Sequence, residues 1–199
     1  MTTNHLLLIT GCSRSGTGYI SHLMCRAGID IGHEEYGNDG ISSWLLAVDA
    51  DKMPWGPTRR NVTFQHIFHQ VRHPLKTIGS IYTHEPEESF AYSFSHLPEF
   101  ECYRGSSKLV RSACYWYGWN LLAEAQAEFT YRVENVDQAI PEIARRLGRA
   151  VPDDIVKTVP TDVNNKGWSR PLRWKDLERN IPEEVYTKIV EMAKRYGYE

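Results

Sequence analysis

A chain of 199 residues suits one compact domain with a sizeable core and is short for two, so a single domain spanning 1–199 is expected. Hydrophobic residues make up 41% and charged residues 24%, the ordinary balance of a soluble globular protein. The formal net charge of −2 argues against a broad nucleic-acid or membrane footprint, so any anion site has to be built locally.

No stretch approaches the ~20 apolar residues of a membrane span. The opening segment carries an apolar run of only Leu6 to Ile9 with no cationic region before it, unlike a signal peptide. Cys12, Cys25, Cys102 and Cys114 show no Cys-x-x-Cys spacing, which fits reduced thiols and a cytoplasmic location. Six Trp and eleven Tyr suit a core rich in rings or, less plainly, a stacking pocket.

Leu6 to Thr10 reads as a buried strand running into the glycine-bearing turn Gly11-Cys12-Ser13-Arg14-Ser15-Gly16. From Thr17 to Ala27 the pattern turns helical, with Ile20, Leu23, Met24 and Ala27 on one face and Gly28 as the C-cap. Ile29 to Gly32 reads as a second short strand, Ser42 to Val48 as a helix, and Lys52 to Arg60 as a loop. Val62 to Val71 reads as a strand ending at Arg72-His73-Pro74, with Pro74 suited to the first turn of the next helix. Glu85 to Lys108 carries little periodicity and reads as an insertion that covers substrate. Leu109 to Ala127 is a long helix, Phe129 to Val133 a strand, and Val136 to Leu147 and Pro182 to Tyr196 are helices. Strands alternating with helices predict an α/β fold of three layers, with a central, mostly parallel sheet.

A glycine-bearing turn between strand and helix is where backbone N–H groups cradle an anion. The nucleotide-triphosphatase form of this loop needs Gly-x4-Gly-Lys-Ser/Thr. Here Gly11-x4-Gly16 is kept, but Thr17 stands at the Lys position and Gly18 at the magnesium-binding hydroxyl; the cation sits inside the loop, at Arg14. A second junction, Arg72-His73-Pro74-Leu75-Lys76-Thr77-Ile78-Gly79-Ser80, places an Arg at a strand end and a Ser eight residues later. Alone, such an Arg is as well explained by a carboxylate partner as by phosphate. Two such junctions in this order, about 60 residues apart, are harder to obtain by accident.

The two segments together resemble those of the PAPS-dependent sulfotransferases of the P-loop superfamily, in their bacterial form. Arg14-Ser15-Gly16-Thr17 is similar to the family's 5′-phosphosulfate loop, and Arg72 to Ser80 to its 3′-phosphate signature, with His73 in place of the more usual Asp. The resemblance implies transfer of a sulfuryl group from PAPS to an acceptor hydroxyl or amine, release of PAP, and no metal. It implies that Ser13, Arg14, Ser15, Gly16, Thr17 and Gly18 wrap the 5′-phosphate and that Arg72 and Ser80 bind the 3′-phosphate. Arg14 is then the group that neutralises charge as sulfate departs.

A base has to remove one proton from the acceptor, and Gly32-His33-Glu34-Glu35 follows the second strand, where tyrosyl-protein sulfotransferases and related enzymes place a Glu. Glu34 is the expected general base, with His33 orienting it or the acceptor; a solvated charged loop is the alternative. Trp44 reads either as a wall of the acceptor site or as core. Glu134 matches an acidic position of structural kind, and Val133 stands where some members place an adenine-contacting Tyr. In the segment 164–168, Lys166 resembles a 3′-phosphate contact, though a surface Lys explains it as well. His66 and His69 are three apart on a strand, hence on opposite faces and unable to share an ion.

The acceptor is expected to be a small molecule, glycan, lipid or peptide, with no nucleic acid partner. A small-molecule or nucleotide kinase would share the sheet and loop but lacks the loop Lys and the magnesium ligands. A non-catalytic PAP- or nucleotide-binding module is the alternative from another class.

Overall fold

The computed structural model describes residues 2–48, 56–152, 154–160, 167 and 169–199. Five strands form one parallel sheet: β1 (Thr3–Thr10), β2 (Ile31–His33), β3 (Gly40–Ser42), β4 (Val62–Val71) and β5 (Phe129–Arg132), in the order β2-β3-β1-β4-β5. The long central pair runs from Thr3 opposite Val62 to Thr10 opposite His69. The helices are α1 (Thr17–Arg26), α2 (Pro74–His84), α3 (Glu87–His96), α4 (Lys108–Glu124), α5 (Val136–Leu147), α6 (Trp174–Asn180) and α7 (Glu183–Arg195).

Period-two alternation along β1 divides the core. Leu7 and Ile9 join Ile20 and Leu23 of α1 and Ile140 and Ile143 of α5 on one face. The other face is covered by a larger cluster from α2, α3, α4, α6 and α7. The expected α/β architecture of three layers is therefore observed. From β1 the chain crosses to β2 and β3 on one side, then passes back to β4 on the other. This puts a topological switch point at the carboxyl ends of β1 and β4, the position where open parallel sheets form a crevice.

Strand β4 and helix α5 have the expected bounds, and α2 begins at Pro74 with His73 as its cap, Nδ1 accepting from the Leu75 N–H at 3.2 Å. Two segments differ from expectation. Ser42 to Val48 is not a helix: β3 ends at Ser42, and a single 3₁₀ turn covers Leu45–Ala47. Gly40 explains the strand. A Cβ there would lie 1.8 Å from the Leu7 carbonyl oxygen, so only a glycine lets β3 pair this closely with β1.

The segment 85–108 is likewise helical, not an open insertion. It comprises α3 and a 3₁₀ helix at Pro98–Tyr103, with Phe90, Phe94, Leu97 and Phe100 packed in the core. Its helical period is masked in the sequence by buried serines. Ser93 accepts from the Trp119 indole N–H at 2.8 Å and donates to the Ser89 carbonyl at 2.7 Å, so a polar residue occupies a core position. Trp44 belongs to the same ring cluster, edge-on to Trp119 at 4.8 Å. Among the described residues no helix is long and apolar enough to cross a membrane, and all four cysteines are free.

Candidate functional site

The first loop is shaped by contacts with β4. A Cβ on Gly11 would lie 2.2 Å from the Gln70 carbonyl oxygen, so the chain leaves β1 through a gap that admits no side chain. The turn is closed by the Ser15 N–H donating to the Cys12 carbonyl at 3.2 Å. Gln70, buried on β4, donates through Nε2 to the Ser15 carbonyl at 2.9 Å and accepts from the Tyr131 hydroxyl at 2.9 Å. Arg72 donates through Nη1 to the Arg14 carbonyl at 3.2 Å. Loop carbonyls are thus turned toward β4. Gly16 caps α1 with φ +95° and supplies no side-chain acceptor, and the first turn of α1 holds no acid. The N–H groups opening α1 therefore have no side-chain cap and carry the positive end of the helix dipole.

Arg14 itself sits in the left-handed region at φ +66°. Its Nε lies 2.9 Å from Glu85 Oε1, an oxygen that also accepts from the Ser13 hydroxyl at 2.9 Å. Glu85 is 8% exposed. It closes α2, its N–H still donating to the Ile81 carbonyl, and Pro86 after it favours the extended backbone that ends the helix there. Sequence reading did not single out Glu85. The contact spans 72 positions, and no local pattern announces it.

The second junction meets the first. Beyond its bond to the loop, Arg72 has no carboxylate within ion-pair distance among the described residues. Ser80 lies two turns along α2 and is half-buried. Glu134 has two structural partners, accepting from the His73 N–H at 2.9 Å and from the Tyr198 hydroxyl at 2.8 Å. Val133 approaches Gly16, where a Cβ would meet its Cγ2 at 3.2 Å.

Glu34 follows β2 at φ +56°; with Arg14 and Asn61 it is one of three non-glycine residues at positive φ among those described. Two of these three are expected site residues, and backbone held in a sparsely populated region concentrates at functional positions. The Glu34 carboxylate accepts from the Ser43 hydroxyl at 2.5 Å and from the Trp44 N–H at 3.3 Å. Burial pushes its pKa up to about 7 against the lowering effect of those two bonds, and the nearby charge of Glu85 adds to the rise. His33 Nε2 lies 3.2 Å from the Thr17 hydroxyl oxygen and 3.9 Å from Glu34 Oε1. Burial lowers the His33 pKa, with the nearby His22 adding to the fall and Glu35 opposing it. Ser42 joins this edge to the loop by donating to the Thr17 carbonyl at 2.9 Å.

The carboxyl ends of β1, β2 and β4 thereby bring Ser13 to Gly18, His33, Glu34 and Arg72 together, with Ser80 on the adjoining helix. Lys166 lies outside the described residues. His66 and His69 have separate partners: Glu128 at 3.2 Å for the first, Asn120 at 3.1 Å and Thr130 at 3.2 Å for the second. A separate cleft of about 380 Å³ between Val71, β5 and α7 is lined by none of the expected site residues.

No protein-family profile and no curated protein sequence matches this chain. Among solved structures, a similar chain is the sulfotransferase domain from the curacin biosynthetic pathway, with a TM-score of 0.49 and 10% identity over 100% of this chain and 99% of that one.

Proposed function

We propose that this chain is a PAPS-dependent sulfotransferase acting on a hydroxyl or amine acceptor. The observation that carries this reading is the bond from the Arg72 guanidinium to the loop backbone at Arg14. It brings two segments read as anion motifs, far apart in sequence, together at the switch point. The residues present suit a doubly anionic nucleotide. They offer an uncapped helix start, two arginines, and a buried Ser15 hydroxyl with no hydrogen-bond partner among the described residues.

When bound, PAPS supplies the activated sulfuryl group and the departing 5′-phosphate. Arg72 and Ser80 are the candidates for the 3′-phosphate. Glu34 takes the acceptor's proton as the new bond to sulfur forms, and a pKa near 7 suits a base working at neutral pH. Arg14 stabilises the electron pair left on the bridging oxygen when the bond from that oxygen to sulfur breaks. His33 orients the loop edge through Thr17.

The test is turnover of PAPS in excess EDTA against a panel of phenols, amines and sugars. Equal amounts of PAP and sulfated acceptor are expected. No transfer to any acceptor, or a strict need for magnesium, would overturn the reading.

A further inference from the structure

We propose that a second, basic cleft between α2, α4 and the 169–172 segment is a subsite for an anionic group (carboxylate, phosphate or sulfate) carried by the acceptor. The word acceptor rests on the sulfotransferase reading; the anion site does not.

The cleft measures about 380 Å³ and is lined by Tyr82, Ser107, Lys108, Leu109, Arg170 and Asn180. Its floor is the Tyr82 ring, with the Arg170 guanidinium 4.6 Å and the Lys108 ammonium 6.0 Å from the ring centroid. No carboxylate lines it. The two carboxylates that feel these charges, Glu87 and Asp176, are held by other cations: Arg111 at 2.5 Å and Arg173 at 3.2 Å. Two cations share one ring without an ion-pair partner of their own among the described residues, an arrangement that an anion between them would relieve. Ser107 adds a hydroxyl that accepts from the Val110 N–H at 3.4 Å and keeps its proton to donate.

Arg170 is placed here by the fold. Its carbonyl oxygen would lie 2.2 Å from a Cβ on Gly79, and its N–H donates to the Thr83 hydroxyl at 2.9 Å, so the segment lies directly on α2. One lining residue of the cleft also neighbours the loop pair in sequence. Tyr82 is three residues before Glu85, whose carboxylate touches Ser13 and Arg14. Residues three apart on a helix share a side, with Cβ atoms about 5–6 Å apart. This neighbourhood of Tyr82 and Glu85 is the basis on which the anionic group of an acceptor that reaches Glu34 is assigned to Lys108 and Arg170.

The binding test uses phenyl phosphate and no donor. Calorimetric titration of the wild-type protein is expected to show a site weakened about tenfold or more by Lys108→Gln with Arg170→Gln, since a hydrogen bond from a cation to an anion is worth roughly that factor. Glutamine keeps part of each stem, and both residues are partly exposed, so the fold is retained. Neutralising the loop pair instead, by Arg14→Gln with Glu85→Gln, is expected to leave this site in place. No binding to the wild type, equal binding after Lys108→Gln and Arg170→Gln, or loss only on changing the loop would overturn the anion site.

The acceptor role is read from kcat/KM for 4-(4-hydroxyphenyl)butanoate against its neutral amide. The acid is expected to be preferred, with the preference falling toward one in the Lys108→Gln, Arg170→Gln protein. A ratio near one in the wild type would overturn that role. Absence of transfer to both would count against the sulfotransferase reading and leave the binding result to stand or fall alone.

Discussion

Glu34→Gln is expected to lower turnover by about 10²–10⁴-fold, the range for removing a general base, while PAP binds as it does to the wild type. The rate of the wild-type enzyme should rise with pH through about 7, where the buried carboxyl gives up its proton. The same group has an opposite effect on stability. The Glu34 pKa is raised from an ordinary 4.5 to about 7, so between these values the folded protein holds a proton that the unfolded chain has lost. Stability therefore falls as pH rises through that window, and above pH 7 the full cost remains. Glu34→Gln removes this cost and should stabilise the protein above pH 7 by on the order of 1–3 kcal/mol, with no gain near pH 4. The Trp44 N–H can still donate to the amide oxygen, and the Ser43 hydroxyl can turn to accept from the amide. Near-normal kcat in this variant would remove Glu34 from the mechanism. A melting temperature that falls at pH 8 would contradict the burial argument.

Arg14→Gln is expected to cost about 10²–10³-fold in kcat, as the loss of a group aimed at developing charge does. It also leaves Glu85 without its cation in a place where the two side chains are only 17% and 9% exposed. Removing one partner of such a pair destabilises by about 3 kcal/mol or more. Changing both members, Arg14→Gln with Glu85→Gln, should recover most of the melting temperature and none of the turnover. If activity returned together with stability, Arg14 would be a structural residue of the loop and not a participant in transfer.

Both tests turn on how the fold assembles residues that the sequence shows singly. The strand, turn and helix around Gly11 to Gly18 were legible because the pattern is local: an apolar run, two glycines and a helical face within some twenty residues. The junction at Arg72 to Ser80 was legible for the same reason, with Pro74 marking the helix start. The 85–108 helices were not, because Ser89 and Ser93 occupy buried positions that periodicity expects to be apolar. β3 was missed because Gly40, which reads as a breaker, is there to allow contact with Leu7.

At the candidate site, Arg14 and Glu34 were readable as residue types, but their settings were not. Glu85 reaches the loop across 72 positions and Gln70 across 55, and neither lies in a local motif. The raised pKa of Glu34 comes chiefly from burial at the edge of β2 and β3, which only the packed structure supplies.

The central claim is that the Gly11 loop and the Arg72–Ser80 junction form one site for a nucleotide carrying both 5′- and 3′-phosphates. Thermal unfolding with PAP, with 5′-AMP and with ATP plus magnesium tests it most directly. A ligand at about 100 times its Kd adds about 2.7 kcal/mol to the folded state, which corresponds to a rise of roughly 5–10 °C for a chain of this size. PAP is expected to raise the melting temperature by that amount and 5′-AMP by much less, because only PAP engages Arg72 and Ser80. Stabilisation by ATP with magnesium, and none by PAP, would contradict the account and put a kinase in its place.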